Sequence, residues 1–463
     1  MKKKPIIHFI TNYVTMNDVA NVSIAMGNSP MMAEEKEELK EMYSMVDGLV
    51  VNLGTINKER VQLIYQAMEE ASSRGIPILL DPVGVGISKY RLELALDLIS
   101  KFPISLLKMN GMEALAIANQ EISKMSWGID SKAEIEGMEE VVQKIYNSYF
   151  QNSTTSFVIV TGKEDFIAYG NGKNVKKVLG GSPMQSQISG SGCMLNAVLI
   201  KYLISKPLSS IKIVEGLRRM NRASELAAKK TTPRSSLAYK EELIKYLKFL
   251  EPTLYFISDS ARNFEQEILP KTKEALALGI QILQYRPKNK SEEEKREEGR
   301  QLRKLCQQYA ALFIVNDDPY LAKEIQADGV HLGREDMSIR KAREIVGEQS
   351  IIGATAKTLE QAIEAEEEGA DYLGIGAVFP SSTKKEAIGI SIEELERMDS
   401  YRKENKGLVL PMYGIGGIHA GNAKQIAKYF DGLVMVSGIY DSKDLSFDLE
   451  QCRTMIEGEE KNE

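Results

Sequence analysis

The feature that most restricts the possible folds is a regular alternation of short apolar runs with helical segments after Pro252. The runs are short, rich in β-branched residues and bounded by turn residues, which is typical of buried strands. They lie at residues 254–259, 282–286, 313–317, 329–333, 351–355, 372–378, 408–414 and 432–437. Helical segments are predicted between them, for example at 291–310, 359–368 and 420–428. Eight strand–helix units in about 200 residues predict a closed (β/α)8 barrel, with an open doubly wound sheet as the alternative.

The first half of the chain also alternates strands with helices. Buried strands are predicted at residues 47–53, 76–80 and 156–161. A helix is predicted at 58–74, and this alternation indicates a mostly parallel sheet covered by helices. A second helical run at 237–250 ends before Pro252, which breaks a helix, and no Gly/Ser-rich linker follows. We therefore predict two domains, 1–248 and 249–463.

Composition excludes several classes of protein. A net charge of −6 argues against a dedicated nucleic-acid-binding protein, because nucleic-acid phosphates attract basic surfaces. Cys193, Cys306 and Cys452 form no paired framework, which predicts a reduced, cytoplasmic chain. The sequence has no run of about 20 apolar residues, which a membrane-spanning helix would need. The basic first residues are not followed by an apolar segment of the kind found in signal peptides. We expect small-molecule partners, with neither nucleic acid nor membrane among them.

Charged and small polar residues recur at the predicted strand ends of the second half. In a (β/α)8 barrel the active site lies at the carboxyl ends of the strands. Arg286, Lys288 and Lys384 are cations that suit a diphosphate, and Asp317 and Asp336 offer the oxygen ligands that Mg²⁺ prefers. The other candidates are Gln284, Asn316, Thr355, Ser381, Thr383, Gly417, Val436 and Ser437. One such residue alone is more often a solvated side chain or a helix cap; their recurrence predicts sites for a magnesium diphosphate and a separate monophosphate.

The first half carries a different phosphate motif, the string ISGSGCMLN at residues 188–196. Two glycines precede an apolar helical run, so backbone N–H groups and the helix N-terminus form an anion site for a phosphoryl group. The Walker motif is absent, which excludes a P-loop kinase. The strings DPVGVG, NGME and VTG, which begin at residues 81, 110 and 160, each adjoin the end of a predicted strand.

The second half resembles thiamine-phosphate synthase over nearly all of residues 252–455. The strings QYRPK, FIVNDD, GVHLGRED, GATAKT, FPSSTKK, GIGGI and VMVSGI match that family in order and spacing. The resemblance implies that 4-amino-2-methyl-5-(diphosphooxymethyl)pyrimidine condenses with a thiazole phosphate to give thiamine phosphate and pyrophosphate. It also implies that the diphosphate leaves before the thiazole attacks, with no protein nucleophile.

The same resemblance implies roles for individual residues. Those implied to bind the aminopyrimidine diphosphate are Gln284, Arg286, Lys288, Asn316 and Lys384. Those implied to bind Mg²⁺ are Asp317 and Asp336. Those implied to meet the thiazole phosphate are Ser381, Thr383, Gly417, Val436 and Ser437. Thr355 stands where the family usually has a serine, which is also a hydroxyl residue.

The first half resembles hydroxyethylthiazole kinase, a ribokinase-like α/β sandwich, over most of residues 5–245. The strings HFITN and GNSPMMA near the start join the motifs above in this resemblance. It implies transfer of a phosphoryl group from ATP to 4-methyl-5-(2-hydroxyethyl)thiazole, with Mg²⁺. It implies that the thiazole pocket contains Asn12, Met32 and Gly190 and that ATP contacts Lys108 and Thr161. The residues that it implies for the metal are Asp81, Asn110 and Glu113.

Two positions of the kinase half leave alternatives open. Cys193 stands where most ribokinase-like enzymes have an aspartate base. A thiol at a helix N-terminus has a lowered pKa and could accept the alcohol proton; alternatively, Cys193 is a small buried residue and catalysis depends on positioning. Lys108 replaces the arginine usual in the family, which keeps the charge and loses the planar fork.

The function of the first half has two further alternatives. It could phosphorylate hydroxymethylpyrimidine, since that kinase shares the superfamily, or it could be a non-catalytic binding or oligomerisation module. Resemblance to trimeric thiazole kinases implies a homo-oligomer, with a trimer formed through this half.

Overall fold

The protein is described by a computed structural model for residues 4–122, 137–153, 155–170, 172, 174–206, 208–231, 235–250, 253–309, 311–348, 350–380, 389–403 and 408–456. The chain forms two compact units, Lys2–Phe249 and Leu250–Glu463. Within the ranges given, no helix combines the length and the apolar character that crossing a membrane requires.

The first unit is built on one eight-stranded sheet in the order β2-β1-β3-β4-β5-β6-β7-β8. Its strands are β1 Ile6–Ile10, β2 Ser29–Met31, β3 Gly48–Asn52, β4 Ile78–Asp81, β5 Leu106–Asn110, β6 Phe157–Thr161, β7 Asp165–Tyr169 and β8 Asn174–Val178. Its helices are α1 Met16–Ala25, α2 Leu39–Met42, α3 Lys58–Ser73, α4 Lys89–Lys101, α5 Gly111–Asn119, α6 Met138–Tyr149, α7 Ser191–Ile204, α8 Ser210–Lys230 and α9 Ser236–Phe249. Strands β1 to β6 pair in parallel, and β7 and β8 are antiparallel. The predicted mostly parallel sheet is confirmed.

The middle strands of this sheet are apolar because both of their faces are covered. Leu49 and Val51 of β3 share one buried cluster with Leu63 of α3 and Leu98 of α4. Val50 points to the opposite face, where α7 packs against β3, and it is also buried. Parallel strands covered on both sides are expected to read as continuous apolar runs. On β3 and β4, polar side chains are therefore confined to the carboxyl ends.

The second unit is a closed barrel of eight parallel strands, in which β16 pairs with β9. Its strands are β9 Thr253–Ile257, β10 Ile282–Tyr285, β11 Leu312–Asn316, β12 Gly329–Leu332, β13 Ile351–Ala356, β14 Tyr372–Gly376, β15 Met412–Ile415 and β16 Gly432–Met435. Its helices are α10 Leu269–Ala277, α11 Glu292–Gln308, α12 Pro319–Glu324, α13 Ile339–Val346, α14 Leu359–Glu367, α15 Ile392–Lys403, α16 Ser437–Tyr440 and α17 Leu445–Ile456. The predicted barrel is confirmed, and the open sheet is excluded.

Two local predictions in the barrel are wrong. The seventh strand begins at Met412 rather than at residue 408, because Pro411 has no N–H to donate to a strand ladder. The helix predicted at 420–428 is replaced by two 3₁₀ turns, Ala423–Gln425 and Ala427–Tyr429. Gly421 and Asn422, the second and third residues of the predicted helix, are weak helix formers.

The amino ends of the barrel strands carry a polar contact that repeats four times. The residue just before each even-numbered strand accepts the backbone N–H of a residue on the preceding odd-numbered strand, at 2.7–3.0 Å. The acceptors are Gln281, Asp328, Asp371 and Asp431, and the donors are Leu254, Phe313, Ile352 and Met412. Each aspartate also pairs with an arginine of the helix before the strand pair, namely Arg303, Arg343 or Arg402. This end of the barrel, opposite the strand ends that carry sites, serves stability.

Replacing one of these aspartates should destabilise the barrel. In Asp371→Ala, the N–H of Ile352 and the half-buried Arg343 lose their shared acceptor. Loss of a buried bond to a charged group costs about 1.5–3 kcal/mol, which urea-induced unfolding of the full chain would measure. Glu360→Ala is the control, because the pair of Glu360 with Arg397 is exposed and such pairs contribute about 1 kcal/mol or less. Equal losses in the two variants would contradict the role given to this contact.

Candidate active sites

The start of helix α7 brings three of the predicted kinase residues together. Gly190 precedes the helix with a φ of +84°, and a Cβ there would lie 2.3 Å from Cγ2 of Thr15. The loop after β1 therefore packs closely against the helix start. Asn12 in that loop accepts hydrogen bonds from the N–H and the hydroxyl of Thr15, both at 3.0 Å. Its Nδ2 donates to Sγ of Cys193 at 3.4 Å.

Asp81 lies at the centre of a buried group that we name the Asp81 cluster: Asn52, Asp81, Lys108, Cys193 and Asn196. Oδ2 of Asp81 accepts hydrogen bonds from Asn52 at 2.8 Å, Asn196 at 2.6 Å and Lys108 at 3.2 Å. Asn52 Nδ2 also donates to Cys193 Sγ at 3.4 Å. Oδ1 of Asp81 is buried and has no hydrogen-bond partner within the part of the chain that the structure describes. Three neighbouring strands, β3, β4 and β5, thus deliver their polar residues to one point.

The charges in the Asp81 cluster overturn one prediction. Burial raises the pKa of the Cys193 thiol, the nearby Asp81 carboxylate raises it further, and Lys108 offsets only part of the rise. The prediction of a lowered thiol pKa at the helix N-terminus is therefore wrong, because the thiol is buried beside an anion. Burial alone would lower the pKa of Lys108, but Asp81 raises it above its ordinary value. Lys108 is consequently a buried cation, and its ammonium also donates to the carbonyl of Gly192 at 3.2 Å.

Asn110 and Glu113, predicted as metal residues, form the capping box of α5. Asn110 Oδ1 accepts the Glu113 N–H at 2.9 Å, and Glu113 Oε2 accepts the Asn110 N–H at 2.9 Å. Glu113 Oε1 accepts the N–H of Gly84 at 2.9 Å. Burial raises the pKa of Glu113, Asp81 adds to this, and Lys108 opposes it. The N-x-x-E spacing therefore has a structural role, which joins the start of α5 to the loop after β4.

The remaining kinase predictions, Thr161 and Met32, show no hydrogen bond to the cluster among the described residues. Thr161 ends β6 directly beside Asn110 in the β5–β6 pairing, and its hydroxyl donates to the Met109 carbonyl at 3.3 Å. Met32 is half-buried and follows edge strand β2. The carbonyl of the next residue, Ala33, accepts a hydrogen bond from His8 Nε2 at 2.9 Å. Contacts of Thr161 with ATP and of Met32 with a thiazole remain predictions.

Asn52 and Asn196 are site residues that the sequence analysis missed. A signal for each is present in the sequence. Asn52 is the polar residue that ends an otherwise apolar buried strand. Asn196 follows Cys193 by three positions and so lies on the same face of α7.

The barrel unit has a cleft of about 290 Å³ at the carboxyl ends of β10 and β11. Four of the predicted residues line it: Arg286, Lys288, Asn316 and Asp317. The lining residues that sequence reasoning did not identify are Pro287, Lys295, Asp318, Pro319, Tyr320 and Met337. Lys295 lies on α11, away from any strand end, so the strand-end rule could not find it. The cleft combines three cations with carboxylates, as a diphosphate site with a metal requires.

Asp317 and Asp336 interact as the strand-end argument expects. Asp317 adopts a left-handed conformation, with φ of +64°, and its N–H donates to the carbonyl of His331 at 2.8 Å. Burial and the neighbouring Asp336 raise the pKa of Asp317 to about 6, although Arg286 and Lys288 oppose the rise. Two carboxylates that repel each other in a partly buried place form a suitable site for a divalent cation.

Gln284 and Thr355 point their polar groups into the barrel interior. Nε2 of Gln284 donates to the hydroxyl of Tyr255 at 2.7 Å. The hydroxyl of Thr355 is 3.1 Å from Nε2 of His331. Tyr255 and His331 were not predicted as site residues, because aromatic residues inside a strand read as ordinary core.

Three of the residues predicted for the thiazole phosphate, Gly417, Val436 and Ser437, lie at the ends of β15 and β16, which are neighbouring strands. Gly417 has a φ of +60°, and a Cβ there would stand 2.5 Å from the carbonyl oxygen of Pro380, so only glycine fits. Val436 precedes the short helix α16, which begins at Ser437. The other predicted residues, Ser381, Thr383 and Lys384, lie outside the described residues.

The available donor atoms limit how each unit would hold a metal. In the described ranges, no group of three or more His, Cys, Asp and Glu side chains is arranged to bind a metal ion. The residues present fit Mg²⁺ shared with substrate phosphates instead. In the barrel, Asp317 and Asp336 are the carboxylates that fit this cation. In the first unit, Asp81 fits it through Oδ1, which has no hydrogen-bond partner among the described residues.

A buried carboxyl beside Thr161 predicts a pH effect on stability. Asp165 accepts hydrogen bonds from the Gly162 N–H and from Asn221 Nδ2, both at 3.2 Å, and burial raises its pKa to about 6. A group with a raised pKa in the folded protein stabilises the fold below its ordinary pKa and loses that stabilisation as pH rises through about 6. Asp165→Asn does not titrate. The free energy of unfolding of Asp165→Asn minus that of wild type should therefore become more positive, by up to about 3 kcal/mol, as the pH rises from about 4 to about 7.

Urea-induced unfolding of both proteins across this pH range would measure the difference. Glu93→Gln serves as the control, because Glu93 is an exposed carboxyl on α4 and its replacement should give no such trend. A pH-independent difference between Asp165→Asn and wild type would exclude an elevated pKa at Asp165.

Both halves of the chain match known families. Residues 1–252 match the model of the hydroxyethylthiazole kinase family, and residues 254–439 match that of thiamine monophosphate synthase. The thiamine biosynthesis bifunctional protein ThiM/ThiE of Symbiobacterium thermophilum is 31% identical over 96% of this chain and 94% of its own length. The hydroxyethylthiazole kinase of Clostridium tetani is 32% identical over 55% of this chain and 91% of its own. The thiamine-phosphate synthase of Clostridium perfringens is 40% identical over 42% of this chain and 90% of its own.

Proposed function

The chain belongs to the family of bifunctional thiamine-biosynthesis enzymes, as a fusion of a ribokinase-like hydroxyethylthiazole kinase with a thiamine-phosphate synthase barrel, and we propose how its residues carry out the two reactions. The first unit phosphorylates hydroxyethylthiazole with ATP. The second joins the thiazole phosphate to the aminopyrimidine diphosphate and releases pyrophosphate. The observation that carries this proposal is the placement of cations in each unit: Lys108 at the start of α7 in the first, and Arg286 and Lys288 in the cleft at the strand ends of the second.

In the kinase unit the transferring phosphoryl group lies at the N-terminus of α7. Backbone N–H groups after Gly190 face the phosphate there. The Lys108 ammonium, held by Asp81 and by the Gly192 carbonyl, adds positive charge at the same place. Negative charge on the transferring group is stabilised by such fixed donors. Lys108 thus supplies the charge that arginine supplies elsewhere in the family, without a bidentate contact.

Cys193 positions the substrate alcohol rather than accepting its proton. Burial and Asp81 raise the pKa of its thiol, so the thiol keeps its proton near neutral pH. Asn12 and Asn52 both donate to its sulfur, which orients the wall of the pocket. A loose phosphoryl-transfer transition state needs little help from a base.

In the barrel the cleft residues bind and stabilise the leaving diphosphate. Arg286 and Lys288 neutralise its charge as the bond to the pyrimidine methylene breaks. Gln284 and Thr355 contact the pyrimidine from the barrel interior, and Asn316 lines the same cleft. Gly417, Val436 and Ser437 offer backbone N–H groups to the thiazole phosphate at the ends of the last two strands.

Asp317 and Asp336 in the barrel, and Asp81 in the kinase, would hold Mg²⁺. When bound, it neutralises charge on phosphate oxygens. Asn110 and Glu113 support the kinase metal site through the capping box that fixes the loop after β4. The chain is further proposed to be cytoplasmic and homo-oligomeric, with a trimer formed through the kinase unit, and to bind neither nucleic acid nor membranes.

A coupled assay tests the two activities together. Purified full-length protein should convert hydroxyethylthiazole, ATP and the pyrimidine diphosphate to thiamine phosphate. Asp317→Asn should abolish thiamine phosphate formation while ADP release continues, because only the barrel loses a metal ligand. Lys108→Met should abolish ADP release, and added thiazole phosphate should restore thiamine phosphate formation. Chromatography of products over time would measure both. Loss of ADP release in Asp317→Asn, or failure of added thiazole phosphate to restore thiamine phosphate formation in Lys108→Met, would contradict separate sites.

The same assay separates the competing functions of the first unit. ADP release with hydroxymethylpyrimidine and none with hydroxyethylthiazole would identify a pyrimidine kinase. ADP release with neither alcohol, in a protein whose barrel is active, would identify a non-catalytic module. We expect release with hydroxyethylthiazole, because the elements that contact Cys193 derive from the strings that resemble thiazole kinases.

Removal of the thiol tests the role of Cys193. Loss of a general base lowers turnover by about 100-fold or more, whereas loss of a positioning contact costs less. Cys193→Ala should therefore keep kinase turnover within about tenfold of wild type, with an unchanged pH dependence. Cys306→Ala, which removes a buried thiol from the barrel unit, should leave the kinase unaffected. If turnover falls about 100-fold or more in Cys193→Ala but not in Cys306→Ala, the thiol of Cys193 is the proton acceptor.

A further inference from the structure

Helix α3 carries a buried arginine, Arg60, to which the proposed function assigns no role. Arg60 is the third residue of the helix, and its N–H donates to Oδ1 of Asn57, the residue that caps α3, at 2.8 Å. Its side chain is only 5% exposed. A guanidinium stays charged and carries five N–H donors, so burying it costs free energy unless acceptors surround it. The acceptors around Arg60 therefore indicate what this position is used for.

Arg60 holds the loop after β1 on both sides of Asn12. Nη2 of Arg60 donates to the carbonyl of Thr11 at 2.7 Å. Cζ of Arg60 lies 4.4 Å from the centroid of the Tyr13 ring, a distance at which a cation and an aromatic face attract each other. Thr11 and Tyr13 are the two neighbours of Asn12, whose amide donates to Sγ of Cys193 at 3.4 Å. Arg60 therefore fixes the backbone that aims Asn12 at Cys193.

The same arginine holds the segment after β2, which carries Met32. Oε1 of Glu34 lies 2.9 Å from Nη2 of Arg60, and Oε2 of Glu34 accepts the hydroxyl of Tyr13 at 3.0 Å. Arg60, Glu34 and Tyr13 thus contact one another in a closed set that we name the Arg60 triangle. Glu34 follows Met32 by two residues. The Arg60 triangle therefore ties the segment of Met32 to the loop after β1.

A third loop, which follows β3, is joined to the other two by Arg60. Nη1 of Arg60 donates to the carbonyl of Thr55 at 3.3 Å. This loop also packs against the first one, because a Cβ at Gly54 would lie 3.0 Å from Nδ2 of Asn12. A planar guanidinium can serve several acceptors at once, whereas the ammonium of a lysine is a single point charge. One side chain of α3 thus joins the segments that follow β1, β2 and β3.

We propose that Arg60 is a positioning residue of the kinase unit, which holds the walls of the pocket for the alcohol substrate in place. The inference rests on the proposed placement of Asn12 and Met32 at the hydroxyethylthiazole. The charge of Arg60 is paired with Glu34 and its side chain is buried. Arg60 consequently acts through the segments of Asn12 and Met32 and not by contact with a ligand.

This role concerns the alcohol and not the nucleotide. The proposed contacts with ATP are Lys108 and Thr161, which lie on β5 and β6. The contacts of Arg60 described above involve neither of these strands. Loss of Arg60 should therefore weaken the binding of hydroxyethylthiazole and leave that of ATP nearly unchanged.

Replacement of Arg60 by methionine tests this selectivity. Arg60→Met keeps an unbranched side chain and removes all the donors. In the full chain, without the pyrimidine diphosphate, we expect the KM of hydroxyethylthiazole to rise about 10- to 100-fold, the factor of one buried bond to a charged group. The KM of MgATP should change less than about threefold. Calorimetric titration with hydroxyethylthiazole would give the dissociation constant without turnover, and an equal rise of both KM values would overturn the inference.

Two milder variants keep the test valid if Arg60→Met does not fold. Arg60→Lys keeps the charge and loses the planar fork, so its dissociation constant for hydroxyethylthiazole should lie between those of wild type and Arg60→Met. Glu34→Gln weakens the Arg60 triangle at an exposed position and should raise this constant about 2- to 5-fold. Glu35→Gln is the matched control, because Glu35 is the exposed neighbour of Glu34. Equal effects of Glu34→Gln and Glu35→Gln would contradict a role of the Arg60 triangle.

A second control removes another buried arginine of the kinase unit. Arg219 is 2% exposed, and it donates to the carbonyl of Leu247 at 3.2 Å and to the hydroxyl of Tyr202 at 3.3 Å. Tyr202 lies in the last turn of α7, whereas the pocket lies at the first turn. Arg219→Met should lower stability and keep the wild-type dissociation constant for hydroxyethylthiazole. Weakening as large as in Arg60→Met would overturn the inference, since general loosening would explain both.

One more variant separates the inference from the proposed function. Met32→Ala should weaken the binding of hydroxyethylthiazole directly, because it removes a wall of the proposed pocket. If Met32→Ala leaves the dissociation constant unchanged, the proposed placement of the pocket is wrong, and the inference fails with it. If Met32→Ala raises the constant while Arg60→Met and Glu34→Gln leave it unchanged, the pocket is correctly placed and the positioning role of Arg60 is refuted.

Discussion

Both active sites depend on the backbone hydrogen bonds between parallel strands. Parallel pairing brings the carboxyl ends of all strands to one edge, and side chains that follow those strands meet there. In the first unit this places Asn52, Asp81 and Lys108 within one hydrogen-bonded cluster. In the second it places Arg286 and Asp317 around one cleft. Apolar strand interiors are the necessary counterpart, since both faces of these strands are covered.

Burial then decides what the collected side chains can do. The Asp81 carboxylate lies in the interior with Lys108, and the pair keeps Lys108 charged beside the start of α7, where the proposed function places the phosphate. The same carboxylate and the same burial keep the Cys193 thiol protonated. One buried anion therefore favours a positioning role for cysteine and an electrostatic role for lysine.

The barrel separates stability from chemistry along its axis. At the amino ends of the strands, acidic and amide side chains tie neighbouring strands together four times over. At the carboxyl ends, carboxylates repel one another and Asp317 adopts a left-handed conformation. Between the two ends, hydrogen bonds join polar side chains from five strands, in a region that (β/α)8 barrels mostly fill with branched aliphatic residues; these side chains are Gln284, Tyr255, Tyr372, His331 and Thr355.

The sequence alone determined the fold class, the strand positions and most residues at the strand ends, because strand periodicity and turn residues are local signals. It identified Asp81 and Asp317 at strand ends, and Cys193 in the glycine-rich string before a helix. Only the tertiary structure decided the pKa of Cys193, the membership of Asn52 and Asn196, and the link from Gln284 through Tyr372 to Thr355. Those properties depend on burial and on contacts between residues 115 or 117 positions apart. Strand register and closure of the barrel set such contacts, and neither is written in any short stretch of residues.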